Sequence, residues 1–181
     1  MTEIIAEALA VFLNDVPFAD VVVGLVKEVS YKDEERGAAF RYPAYYQTTA
    51  ATGYRDLVPN SRKRSIQYVE NYGTRVVDRH GDRVDLKTTV RVVCWGNKAM
   101  SSLASAYVLA AVPESANIAG LSGVRFTPIQ VLGVDEKIFS RYTYNEDELQ
   151  FLLHPYTAFA IVYEVTYSLN LSCLPVTPAL V

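Results

Sequence analysis

Seven apolar side chains alternate without a break late in this chain: Phe159, Ile161, Tyr163, Val165, Tyr167, Leu169 and Leu171. A period of two puts all seven on one face of a β-strand. Ala160, Val162, Glu164, Thr166, Ser168 and Asn170 then point the other way. A slip of one residue would turn the whole apolar set to solvent, so the segment needs a covering layer and a fixed register. It is expected inside the main sheet.

The rest of the chain reads around that strand. Ile4, Ile5, Ala8, Leu9, Phe12 and Leu13 recur at helical spacing, with Thr2 as a cap before them and Pro17 after. Asp20 to Tyr31 reads as one strand, with Val21, Val23, Leu25 and Val29 on a common face and Lys27 as the exception. An acidic turn, Lys32 to Gly37, leads to a strand over Ala38–Thr49 that carries Pro43, a mark of an edge or a bulge. Ser65–Tyr72, Thr74–Arg79 and Arg83–Trp95 read as strands, the last two forming a hairpin around His80-Gly81-Asp82. Asn97 is placed to cap a helix whose buried stripe is Met100, Leu103, Ala104, Tyr107, Val108 and Ala111. Val124–Val134 reads as a strand interrupted by Pro128, and Asn145 caps a short helix with an acidic first turn. Hairpins and clean alternation predict an α+β fold: a mainly antiparallel sheet with two to three helices packed on one face.

At 181 residues the chain is expected to form a single domain, residues 1–181, with a long loop over 50–64 and a short tail over 174–181. Half its residues are hydrophobic and a fifth are charged, which excludes a disordered chain. The formal charge is −3 and the pI about 5.4, unlike a dedicated nucleic-acid binder. No apolar run reaches the roughly 20 residues that span a bilayer, so no membrane partner is expected. Cys94 and Cys173 make no disulfide framework. The charge is unevenly spread: −5 over residues 1–36, +6 over 37–100 and −4 over 101–181. Such a pattern suits interleaved charges on one surface, or a basic side of one copy meeting an acidic side of the next.

Catalytic motifs are missing. Gly120-Leu121-Ser122-Gly123 has the wrong spacing for a nucleophile elbow, and neither a phosphate loop nor a dinucleotide fingerprint occurs. The two histidines fall at a hairpin tip, His80, and before a proline, His154. Cys94 lies on an apolar strand face. The charged stretch Asp78 to Asp85 interleaves its carboxylates with Arg79 and Arg83, so a turn explains it without an ion. The expectation is a protein that is no enzyme and carries no metal and no cofactor. What remains is surface chemistry. Arg62, Lys63 and Arg64 form a basic cluster on the long loop, suited to a phosphate or an acidic partner. Tyr42, Tyr45, Tyr46 and Tyr54 crowd one stretch, and tyrosines on both faces of a strand cannot all enter one core. Tyr45, Tyr54 and the basic triplet are therefore the candidate contacts with a partner or with DNA.

The order of elements resembles that of phage tail terminators, head-to-tail joining proteins of the virion neck. The resembling pieces are the N-terminal amphipathic helix, the Val-Pro-Phe-Ala-Asp entry at 16–20 and the strand with Arg41-Tyr42-Pro43-Ala44-Tyr45-Tyr46. To these are added Val92-Val93-Cys94-Trp95-Gly96-Asn97 before a helix and the alternating strand Phe159–Leu171. The loop 50–64 and the segment 114–134 are longer than such a fold requires. The resemblance implies a structural virion protein, assembled in the host cytoplasm. It would form a homo-oligomeric ring of six copies that caps the tail tube, joins it to the head connector, touches other neck and tail proteins, and leaves a channel in which DNA makes transient contacts. Connector and tube proteins, or a small binding or enzymatic α+β domain, are the alternatives.

Overall fold

The computed structural model describes residues 1–32, 39–47, 53–97, 103–133, 138–152 and 155–173. The expected tail 174–181, the acidic turn 33–38, residues 50–52 of the loop, Met100 and His154 lie outside them. The protein is an α+β fold built on a mainly antiparallel sheet.

Helix α1, Thr2–Asn14, buries Ile5, Ala6, Leu9 and Leu13, one face of the 3.6-residue period. Met1 rather than Thr2 stands at its cap, and no side chain caps it. The expected strand Asp20–Tyr31 is two strands in two sheets. Strand β1, Val21–Leu25, runs parallel to β5, Ser65–His80. Strand β2, Lys27–Lys32, pairs antiparallel with β3, Ala39–Tyr46. Val26 is the switch: it is buried, and its N–H donates to the Val69 carbonyl at 2.9 Å. Lys27 is the reason in the sequence, because an ammonium at an inward phase is not buried without a partner.

The loop 50–64 is not structureless. It holds strand β4, Tyr54–Asp56, paired with β3, and then buries Leu57 and Pro59. Strand β5 and strand β6, Arg83–Gly96, form one long hairpin whose turn is Gly81-Asp82. Gly81 has φ of +59°, the left-handed value that a two-residue turn needs. Helix α2 spans Ala104–Ala111 and begins later than the spacing predicts. Asn97 does not cap it; its side-chain amide donates to the Ser61 carbonyl at 3.2 Å. Ala104 and Val108 are buried, but Leu103 and Tyr107 of the expected stripe are exposed.

Strand β7, Ser115–Ala116, pairs with β8, Ser122–Leu132, whose Pro128 sits at a register shift. Helix α3, Glu146–Leu149, is capped by Asn145 as expected, and Glu148 completes a capping box: Glu148 N–H donates to the Asn145 side chain and Asn145 N–H to the Glu148 carboxylate. Strand β9, Thr157–Asn170, lies between β6 and β8, so the alternating segment is indeed interior. Leu171 falls just past it in a 3₁₀ turn.

The large sheet has the order β1-β5-β6-β9-β8-β7, and β2-β3-β4 form a smaller one. Helices α1 and α2 cover one face of the large sheet, where Val69, Val90, Val92, Phe159, Ile161 and Val165 meet Ile5, Leu9, Leu13, Ala104 and Val108. Each such side chain contributes about 1.5–3 kcal/mol by leaving water. On the opposite face Tyr68, Val93, Trp95 and Ala160 pack with Tyr42 of the small sheet and with Leu57, Ile138, Tyr142 and Tyr144. Among the described residues no helix is long and apolar enough to cross a membrane.

Candidate functional site

Three features outside ordinary core packing stand out: a turn, a pair of shallow grooves, and a buried ion pair. The turn carries the basic cluster. The Asn60 side chain accepts from Arg62 N–H at 3.1 Å and donates to the Val58 carbonyl at 2.9 Å, and Lys63 N–H donates to the Asn60 carbonyl. These bonds fix an Asx-type turn that presents Arg62 and Lys63 outward. Neither side chain makes an ion pair with a described residue. Arg64 differs. Its guanidinium donates to the Ala19 carbonyl at 2.7 Å, and its N–H to the Asp20 carboxylate at 2.7 Å. Arg64 thus ties the end of the turn to the entry of β1, and its candidacy as a partner contact differs from that of its two neighbours.

Tyr45 and Tyr54 come together. They line a groove of about 330 Å³ with Tyr46, Lys27 and, from α1, Glu3 and Glu7. Tyr46 is 65 % exposed and packs edge-to-face on Tyr54 at 5.7 Å. Lys27 places its ammonium 5.9 Å from the Tyr54 ring centre and pairs with neither glutamate. Tyr45 also lines a second groove of about 210 Å³, whose far side holds Asn60 and Lys63. The two grooves flank opposite ends of β1: Gly24 and Leu25 lie in the first, Val21 in the second.

The buried ion pair was not foreseen from the sequence. Arg91 and Glu70 sit opposite one another on β6 and β5, joined at 2.6 Å, with side chains 8 % and 1 % exposed. Tyr142 donates to Glu70 at 2.5 Å, Arg91 donates to the Ile138 carbonyl at 3.0 Å, and the Tyr72 ring lies 5.2 Å from the guanidinium carbon. The hydroxyls of Tyr68 and Tyr144 are buried nearby without a partner among the described residues. Burial pushes the phenols of Tyr68, Tyr142 and Tyr144 up, with the Glu70 charge adding to it. Burial likewise raises Tyr42, to about 12, with help from a hydrogen bond to Glu148. The signal for this cluster was present. Arg91 shares a strand face with Val93 and Trp95, so it points into the second core rather than to solvent. The cluster opens into neither groove at β1, and its role is to hold the second core together.

Reactive groups are few. Among the described residues no three of His, Cys, Asp or Glu come together as metal ligands. Cys94 is fully buried, and burial pushes its thiol up, away from the thiolate. His80 lies exposed at the hairpin tip, 2.9 Å from the Asp78 carboxylate.

The hairpin itself is the largest exposed feature. Asn71 to His80 of β5 are all exposed, including Tyr72, Val76 and Val77. Strand β1 covers β5 only at Ile66–Val69, so the outer edge of Asn71–His80 has no strand partner among the described residues. On the other side of the sheet β7 covers β8 only at Val124 and Arg125. The edge from Thr127 to Leu132 has no strand partner there among the described residues, and Ile129 and Val131 are exposed. Compared with known proteins, the chain matches no family model, no curated protein and no solved structure.

Proposed function

We propose that the chain is a structural subunit of a homo-oligomeric ring in a virion neck or tail, of the kind tail terminators form, and that it works without catalysis. The observation that carries this reading is the pair of open sheet edges on opposite sides of one sheet. At about 3.3 Å per residue the β5 edge is roughly 30 Å long and the β8 edge roughly 20 Å, and unpaired edges are templates for another chain that are normally covered.

The strand directions fit a cyclic assembly. Each of the pairs β5–β6, β6–β9 and β9–β8 is antiparallel, so β5 and β8 run in opposite directions. Rotation about a ring axis preserves direction. The β5 edge of one copy therefore meets the β8 edge of the next in antiparallel fashion, the more stable ladder. Pro128 lacks an N–H and is no donor to such a ladder, which leaves Ile129–Leu132 as its stronger part. In this reading the ring surrounds a channel for DNA, and its two rims meet different neck and tail proteins.

Mass photometry and negative-stain imaging of the purified chain test the proposal. A closed ring at six times 20.1 kDa is expected. Val76→Lys combined with Val77→Lys should leave a folded monomer and no ring, because both residues are exposed and charges on a strand edge block pairing with another chain. A wild-type chain that stays monomeric at about 50 µM, a level at which micromolar contacts are filled, overturns the reading.

A further inference from the structure

The two grooves at β1 and the basic turn describe a second contact surface, separate from the sheet edges. Glu3 and Glu7 stand four residues apart on α1, so they share a helix face as a like-charge pair. Neither forms an ion pair with a described residue. They close the groove lined by Tyr45, Tyr46 and Tyr54. Helix α1 crosses β1 closely here: a Cβ built on Gly24 would lie 3.5 Å from the Ala6 and Glu7 backbones. The exposed Tyr46 ring and the half-buried Tyr45 and Tyr54 rings, beside carboxylates that pair with no described residue, form a seat for a guanidinium or an ammonium, which the rings stack on and the carboxylates pair with.

The matching cations are on the same chain. Arg62 and Lys63 project from the Asn60 turn, unpaired, at the other end of β1. Glu3 and Glu7 outweigh Lys27 in the first groove, while Arg62 and Lys63 add to the offsetting Arg55 and Asp56 at the second, so the two ends of this edge carry opposite charge. A second copy turned by a two-fold axis sets each base pair against the other copy's acid pair, so the contact is made twice.

We infer that the tyrosine–glutamate groove is the seat of the Arg62–Lys63 turn of a second copy of this chain. The contact uses the β1 edge, whereas the sheet extension uses β5 beyond Val69. It joins two monomers into a dimer, or two rings into a double ring. It depends on neither the ring nor the virion reading.

A charge-swap experiment tests it, read by sedimentation velocity and mass photometry at low and high salt. Glu3→Lys with Glu7→Lys, and separately Arg62→Glu with Lys63→Glu, should each weaken the two-fold association by about tenfold or more. The quadruple variant should regain it. High salt should weaken the wild-type contact as well. Glu3, Glu7 and Arg62 are exposed and Lys63 is half-buried, and unchanged Trp95 emission checks that each variant is folded. Double variants that associate as tightly as wild type overturn the inference, as does a quadruple variant that does not recover. A single ring that never doubles at about 50 µM overturns this contact and leaves the sheet-edge reading standing. A two-fold dimer without rings does the reverse.

Discussion

Replacing Arg91 by Met should be among the most damaging single changes in the second core. It leaves the Glu70 carboxylate 1 % exposed without its ion-pair partner, with only the more distant charge of Arg141 acting on it. Only Tyr142, at 2.5 Å, and Tyr72, at a weak 3.4 Å, still donate to it. Removing one member of a buried ion pair costs about 3–5 kcal/mol, because the other charge stays desolvated. That is a fifth or more of the roughly 5–15 kcal/mol that holds a typical domain together. Replacing both partners, Glu70→Leu with Arg91→Met, should behave differently. The buried charge is gone, which is neutral or stabilising by about 1–4 kcal/mol. The Tyr142 hydroxyl then loses its acceptor, at a cost of about 1–3 kcal/mol. The two nearly cancel, so the double variant should lie close to wild type while the Arg91→Met variant lies far below it. Urea unfolding followed by the emission of Trp95 reads this directly. Trp95 is the sole tryptophan, is buried in the same core, donates to the Phe151 carbonyl at 2.6 Å and stacks on Tyr156. An Arg91→Met variant that loses less than about 1 kcal/mol at an unchanged m-value would mean the pair behaves as an exposed one, and would refute the reasoning.

Tyr144→Phe removes a buried hydroxyl that has no partner among the described residues, so the stability read from urea unfolding should hold or rise, whereas Tyr142→Phe should lower that stability by about 1–3 kcal/mol; equal losses at the two sites would contradict the assignment. Burial raises the phenols of Tyr68, Tyr142 and Tyr144 above their usual range and Tyr42 to about 12, so the fold favours their protonated forms. Stability should therefore be level below about pH 10, the unfolded value, and fall as pH rises through the raised folded values; a urea midpoint unchanged at about pH 11 would argue against it. Ile161→Asp or Val165→Asp places a charge at a fully buried position of β9 and should abolish soluble folding; soluble, folded protein with either change would show that the strand is not where it is described.

What could be read in the sequence was what local chemistry decides. The β9 alternation, the Gly81-Asp82 turn and the Asn145 cap each rest on a few adjacent residues, and each is found as expected. What long-range pairing decides was hidden. The switch at Val26 depends on β5 lying alongside β1, more than forty residues later in the chain. Glu70 meets Arg91 only through the register of the long hairpin. Strand β4 has no period of its own and is drawn into the sheet by β3. Of the candidate contacts, composition picked out Tyr45, Tyr54 and Lys63, which the fold brings to two adjoining grooves, and Arg62, which projects beside Lys63 from the Asn60 turn. Glu3 and Glu7 were missed because acids in and after a helix's first turn are unremarkable until a groove is seen beside them.

The central place of β9 has a consequence for how this protein comes into being. Its neighbours β6 and β8 are both made earlier, and each leaves the ribosome with an apolar edge facing an empty slot. Translation at roughly 5–20 residues per second keeps that slot open for several seconds after β6 emerges. The two halves of the sheet cannot close until the strand ending at Asn170 arrives. Folding of this chain is thus a late event that one segment completes, and until then the nascent chain is a client for chaperones that shield hydrophobic strand edges. A stop codon just before Thr157 would discard far more than a tail: it would release a chain without the strand that joins β6 to β8.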